Sequence, residues 1–348
     1  MKVLFLPNFP VIRLCQDDPT VRSANKVVSG AEYWFFSGRT DIVVHVIDNW
    51  SPRPLSVIER YSHVEFTQAF RALKIQRQYD IILSHSYNSG FIFSLIRSLR
   101  RKSMPPHVVI DIGCLNGNRS NPIQIALIRE GLKSVKGLIY HSRVNEEFYS
   151  SHFPDLRRKF VPFGVDTGFF KPMMVEPTGE YAISIGKRFR DYETLVEAWK
   201  NVDYPLRIVG PGGLDTKGNR KIEVIPETSI DNLHRLIHHA RFVILPIEAR
   251  RYSMGQMTML QCMSMRKPII VTDVPGISDY IRSGRNCMTV HNGSAEDIET
   301  AAHVLLSDKT FAERIAAEAR LDAVEKYDEK IMASRIFSFL DELYQDSE

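Results

Sequence analysis

From its first residues to its last strand the chain alternates short, nearly continuous apolar runs rich in Val and Ile with amphipathic stretches of helical length. Runs of that kind are what strands buried on both faces of a parallel sheet require, and the intervening stretches supply the crossover helices. In the first half, strands are expected at 2–6, 42–47, 81–84, 108–110, 138–141 and 159–162, with helices at 65–78, 90–102 and 122–134. The second half repeats the scheme, with strands at 181–185, 206–209, 222–225, 242–246, 268–272 and 288–290 and a helix at 192–199. Helices at 295–306, 309–325 and 329–343 follow. Between the halves, 171–179 carries Pro172 and Pro177 and reads as a linker. The fold class is therefore α/β, with two Rossmann-like domains at 1–172 and 173–330 and a terminal helix at 331–348.

A length of 348 residues suits two or three domains, and 44 % hydrophobic with 25 % charged residues excludes disorder. Four cysteines, Cys15, Cys114, Cys262 and Cys287, form no C-x-x-C pair, which argues against a zinc or redox site and for a reduced, cytoplasmic setting. The apolar start Val3 to Leu6 ends at Pro7, too short for a signal-peptide core, and no stretch approaches the ~18 apolar residues of a spanning helix. Charge is uneven: residues 1–172 hold 23 Lys and Arg against 14 Asp and Glu, and the remainder 22 against 27. A solvated surface, an anionic membrane face and a phosphorylated substrate all fit that asymmetry. No nucleic-acid partner is expected.

Two facing α/β domains gather loops and helix N-termini at the carboxyl ends of their strands, so a phosphorylated nucleotide is the expected ligand. The usual signatures are absent: Gly210-Pro211-Gly212-Gly213 has the wrong spacing for a dinucleotide fingerprint, and there is no P-loop, G-x-S-x-G elbow or H-E-x-x-H helix. His234 and His238 share a helical spacing without a carboxylate, which gives them a surface or capping role, and no metal is expected.

The stretch 159–172, Lys-Phe-Val-Pro-Phe-Gly-Val-Asp-Thr-Gly-Phe-Phe-Lys-Pro, resembles the hinge of family four retaining glycosyltransferases of the GT-B fold, the glycosyl transferases group 1. The same family's motifs are matched in order by Ile185-Gly186-Lys187-Arg188-Phe189-Arg190, by Leu206 to Gly210, by 233–246, and by 253–272 with Val274-Pro275-Gly276. The resemblance implies a sugar transferred with retention from a nucleotide-diphosphate donor to an acceptor hydroxyl, without metal or other cofactor. The partners it implies are the donor and a glycan or lipid-linked acceptor; the basic cluster Arg97, Arg100, Arg101 and Lys102 at the end of the expected 90–102 helix points to an anionic membrane surface. It assigns Lys187 and Arg190 to the pyrophosphate, with Gly186, Arg188, Gly210, Ser253, Met254, Gly255, Gln256 and Gln261 around the donor. Ser253 is expected to cap a helix opening at 253–256. The family's two glutamates are replaced by Ser253 and Gln261; Gln261 can still hydrogen-bond a ribose, and Glu248 is an alternative carboxylate near the sugar.

In the first half, Ser29-Gly30-Ala31-Glu32 looks like the family's glycine loop and puts Gly30 on the acceptor side. His85 closes its strand at a cleft-facing position, and Asp111 stands where the family often has histidine, so it is expected to meet a donor or acceptor hydroxyl. His85, Asp111, Lys187 and Arg190 form the expected catalytic set. GT-B proteins return a terminal helix to the first domain, and 331–344 has the apolar stripe for it. A GT-B nucleotide-sugar epimerase and a non-catalytic nucleotide-sugar-binding scaffold are the alternatives.

Overall fold

Apolar runs flanked by amphipathic ones become two separate sheets. The structure is a computed structural model that describes residues 1–8, 28–29, 41–62, 65–100, 104–113, 115, 122–249 and 254–346. The first unit contains β1 (Lys2–Leu6), β2 (Val28–Ser29), β3 (Val43–Val46), α1 (Leu55–Ser62), α2 (Phe66–Ile75), β4 (Ile81–His85), α3 (Tyr87–Ser98), β5 (His107–Asp111), α4 (Pro122–Leu132), β6 (Gly137–Tyr140), α5 (Glu146–His152) and β7 (Arg158–Phe160). Its sheet order is β2-β3-β1-β4-β5-β6-β7, parallel throughout except for the antiparallel edge pair β2–β3. Leu4, Leu6 and Ile82 face one apolar cluster and Val109, Leu138 and Tyr140 another.

The second unit contains β8 (Ala182–Ile185), α6 (Tyr192–Ala198), β9 (Leu206–Val209), β10 (Ile222–Ile225), α7 (Ile230–His239), β11 (Val243–Leu245), α8 (Gln256–Ser264), β12 (Ile269–Thr272), β13 (Met288–Val290), α9 (Ala295–Ser307) and α10 (Lys309–Lys326). All its strands are parallel, in the order β10-β9-β8-β11-β12-β13. Alternate residues of each strand enter two cores: Ile183 and Ile185 one, Ala182 the other.

The boundary between the units differs from the expected one. Met1–Pro162 and Met332–Glu348 form the first unit and Phe163–Ile331 the second, so the hinge belongs to the second unit from Phe163 and not from 173. Backbone pairing explains it: Val165 donates to Tyr327 O (2.9 Å) and Glu329 donates to Val165 O (3.0 Å). The Arg320 guanidinium donates to the carbonyls of Thr167, Phe170 and Ser264 at 3.2, 3.2 and 2.7 Å. His234 and His238 fasten the linker that follows. His234 Nε2 lies 3.0 Å from Lys171 O, and His238 Nε2 lies 2.6 Å from Val175 O while its Nδ1 accepts from Met173 N–H (3.3 Å).

The last helix, α11 (Glu329–Gln345), begins in the second unit, and its remainder is part of the first. It buries Ile336, Phe337, Phe339, Leu340 and Leu343. At the start of β6, Gly137 allows the approach: a Cβ there would stand 2.5 Å from Leu343 Cδ1 and 2.9 Å from Phe339 Cε1. Lys159 and Arg157 pair with Glu342 at 3.7 and 3.9 Å, and Arg157 also with Asp346. Phe339→Ala should lower the stability of the first unit by about 3–5 kcal/mol, read as an earlier urea transition for that unit. An unchanged transition would mean that α11 adds nothing to its core.

Candidate active site

In a parallel sheet each strand's carboxyl end must turn into the next helix, and the turn leaves peptide N–H groups free for a ligand. Three such turns of the second unit meet through glycines. Gly186 (φ +136°) follows β8, Gly210 (φ +116°) follows β9 and Gly255 (φ +80°) precedes α8. A Cβ on Gly210 would lie 3.1 Å from the Gly186 carbonyl, so the first two loops touch backbone to backbone. One on Gly186 would lie 2.8 Å from Arg190 Nε, and one on Gly255 2.6 Å from Ile247 Cδ1 and 3.9 Å from Arg190 Nη1. Only glycine tolerates this crowding at positive φ.

Arg190 therefore sits between Gly186 and Gly255. Its Nε donates to Ile185 O (3.1 Å), and its Nη1 lies 3.4 Å from both Arg188 O and Phe189 O. It has no carboxylate partner among the described residues, and burial pulls its pKa below the usual guanidinium range. The loop is pinned on both sides: Asp191 N–H donates to Pro246 O (2.8 Å), Glu248 N–H donates to Phe189 O (3.2 Å), and Arg190 bridges Ile247 in antiparallel fashion. Asp191 also caps α6 through Thr194 N–H (3.1 Å). Lys187 and Arg188 are exposed; Lys187 Nζ rests 3.5 Å from Glu227 Oε2 in an open ion pair that costs little to break.

The α8 end departs from the expectation. The helix begins at Gln256 with left-handed Gly255 as its cap, and Ser253, the expected cap, lies outside the described residues, as does Gly30. Met254 is packed in the core, 8 % exposed. Gln256 is buried and donates Nε2–H to Gly276 O (2.6 Å), which fixes the 275–277 turn. Gln261, half-buried, has no side-chain hydrogen bond among the described residues. No motif singles out Tyr192, whose hydroxyl donates to Gly186 O (2.6 Å), or Glu227 as the counter-ion of Lys187. Both contacts join residues that only the tertiary fold brings together.

In the first unit, His85, Asp111 and His141 end or follow the adjacent strands β4, β5 and β6. His85 Nδ1 lies 2.9 Å from Asn8 Oδ1 and His141 Nδ1 2.7 Å from Val161 O. Asp111 corrects the expectation. It has no exposed surface, and its carboxylate accepts from the Tyr149 hydroxyl (2.6 Å) and from Leu115 N–H (3.3 Å), which ties the strand end to α5 and to the loop after β5. Burial depresses His85 to a pKa of about 3, with the nearby His141 adding to the effect, and depresses His141 to about 4. Both imidazoles are neutral at pH 7. Because the folded pKa values lie below the unfolded 6.5, this stability is complete above pH 6.5 and is lost as the pH falls toward 4 and then 3. Each histidine should cost about 2 kcal/mol between pH 7.5 and 5, and His141→Gln should flatten the urea-midpoint profile over that range. An identical profile for the variant would contradict the assignment.

Residues 184–308 match the family model described as Glycosyl transferases group 1. The alpha-D-kanosaminyltransferase of Streptomyces kanamyceticus is 26 % identical over 153 residues, 42 % of this chain and 37 % of that protein, so the match spans little more than a third of the relative. Sucrose-phosphate synthase from Thermosynechococcus elongatus superposes with a TM-score of 0.70 at 15 % identity, covering 99 % of this chain and 89 % of that one. HepE from Anabaena, crystallised with UDP, gives 0.71 at 14 % identity, covering 98 % and 100 %. These structures establish a shared fold.

Proposed function

We propose that the chain is a group 1 glycosyltransferase, as the family match over residues 184–308 and the shared fold support, and that it moves a sugar, with retention and without a metal, from a nucleotide-diphosphate donor to an acceptor hydroxyl. The observation that carries the proposal is Arg190, a partly buried guanidinium without a carboxylate partner among the described residues, set between Gly186 and Gly255. Its Nη2 has no partner among them, and Lys187 can leave Glu227 for a phosphate. A pyrophosphate needs such fixed cations and backbone donors because its charge grows as the glycosidic bond breaks. The UDP bound to HepE supports a nucleoside-diphosphate sugar as donor, with Gln261 as a neutral partner for its ribose. In the reaction the sugar–phosphate bond breaks, the acceptor oxygen bonds to the same face of the anomeric carbon, and the departing phosphate oxygen takes the acceptor's proton. The protein's part is positioning and charge stabilisation. With the donor identified from a thermal-shift panel of nucleotide sugars, Arg190→Ala should lower kcat/KM by about 2–4 kcal/mol. Full turnover by the folded variant would remove the clamp from the mechanism.

Replacement of the family's glutamates by Ser253 and Gln261 favours, as a second reading, a scaffold that binds the donor without transfer. Slow release of nucleoside diphosphate from bound donor separates the two, since a scaffold releases none.

The acceptor is proposed to be a glycan or lipid-linked alcohol at the cytoplasmic membrane face. Leu99, Ile123 and Leu127 are exposed on or beside the packed helices α3 and α4, next to Arg100. The basic cluster is smaller than its sequence suggests: α3 ends at Ser98, Arg97 is 3 % exposed and donates to Gln76 Oε1 (2.8 Å), and Arg101 and Lys102 lie outside the described residues. Co-sedimentation with anionic but not neutral liposomes is expected. Equal binding to both, or none at low salt, would leave a soluble acceptor.

A further inference from the structure

The glycine loops occupy the carboxyl ends of the second sheet. Its amino ends form a different site, an open cleft of about 770 Å³, within the usual range of small-molecule sites. Gly179, Tyr204, Arg241 and Lys267 stand just before β8, β9, β11 and β12 respectively, Arg266 adjoins Lys267, and Lys309 opens α10 along one side.

The cleft collects cations faster than the protein neutralises them. Lys267 is 6 % exposed, and its ammonium donates to the carbonyls of His238 and Ala240, the second at 2.9 Å. An ammonium has three protons, so one is left over, and no carboxylate pairs with Lys267 among the described residues. Arg241 and Arg266 likewise have no ion-pair partner among them. Of the acids lining the cleft, Glu313 is engaged by Lys309 (3.6 Å) and Glu176 is exposed. A buried charge without a counter-ion is costly. Capping the two carbonyls at the end of α7 accounts for part of Lys267, and the half-buried Arg241 and exposed Arg266 add two more cations to the same cleft.

We propose that this cleft is an anion site, separate from the donor site, that takes the phosphate group of a small soluble molecule between Lys267, Arg241 and Arg266. Calorimetric titration of the full chain with inorganic phosphate at pH 7, against chloride at equal ionic strength, tests it. Because the Arg190 loop also attracts phosphate, the titration is made on Arg190→Ala. Saturable binding is expected there, weakened at least about tenfold by adding Arg241→Ala and Arg266→Ala, since charge-assisted hydrogen bonds are lost. In the protein with Arg190 intact, the same two changes should leave the thermal shift with UDP in place. Absence of phosphate binding, or affinity unchanged by the two substitutions in a variant folded by circular dichroism, would overturn the proposal. If the UDP shift were lost and the phosphate affinity kept, the separation of the two sites would be wrong.

Discussion

A guanidinium held against glycine backbones organises the second unit's site. Arg190 can occupy its place because Gly186 has no Cβ, and because carbonyls, not carboxylates, receive its N–H groups. The cation is thus fixed in position without being neutralised. In the proposed reaction that combination would suit a leaving group whose negative charge appears only as the bond breaks, since a carboxylate partner would have cancelled the field beforehand. The segment after β11 contributes as well: the 189–191 loop is laced to 246–248, so the residues around Ile247 also set the height of Arg190.

The hinge shows the same economy of means. Arg320 gathers carbonyls from Thr167, Phe170 and Ser264, and the backbone of Val165 pairs on both sides of Asp328. The segment between the units is therefore built into one of them, and the chain passes to the other at Pro162 and again within α11. In the first unit the carboxyl ends of β4, β5 and β6 hold neutral histidines and an internally bonded Asp111.

Strands written as short continuous apolar runs were legible residue for residue: β1, β9, β10 and β13 lie where those runs place them, the edge strands β10 and β13 included although they are only partly buried. Elements without such a stripe were not. Leu55, Val57 and Ile58 of α1 are exposed, so among the described side chains the helix has no buried face for periodicity to report, and two-residue β2 is too short to carry a pattern. At α8 the apolar run continues through Met254 into the core, while the helix itself starts only after the left-handed Gly255. Positive φ is a backbone choice that composition does not announce.

The sequence by itself determined two parallel α/β units, the loops that carry Gly186, Arg190, Gly210 and Gly255, and an amphipathic last helix, because period and glycine placement are local properties. Tertiary structure decided which side chains are spent inside the protein and which are left for a ligand. Asp111, Gln256 and Arg97 have the chemistry of site residues but are consumed by Tyr149, Gly276 and Gln76, whereas Arg190 keeps its charge unpaired among the described residues. The reason is that a polar group's availability depends on partners distant in sequence, and only folding sets the distances to them.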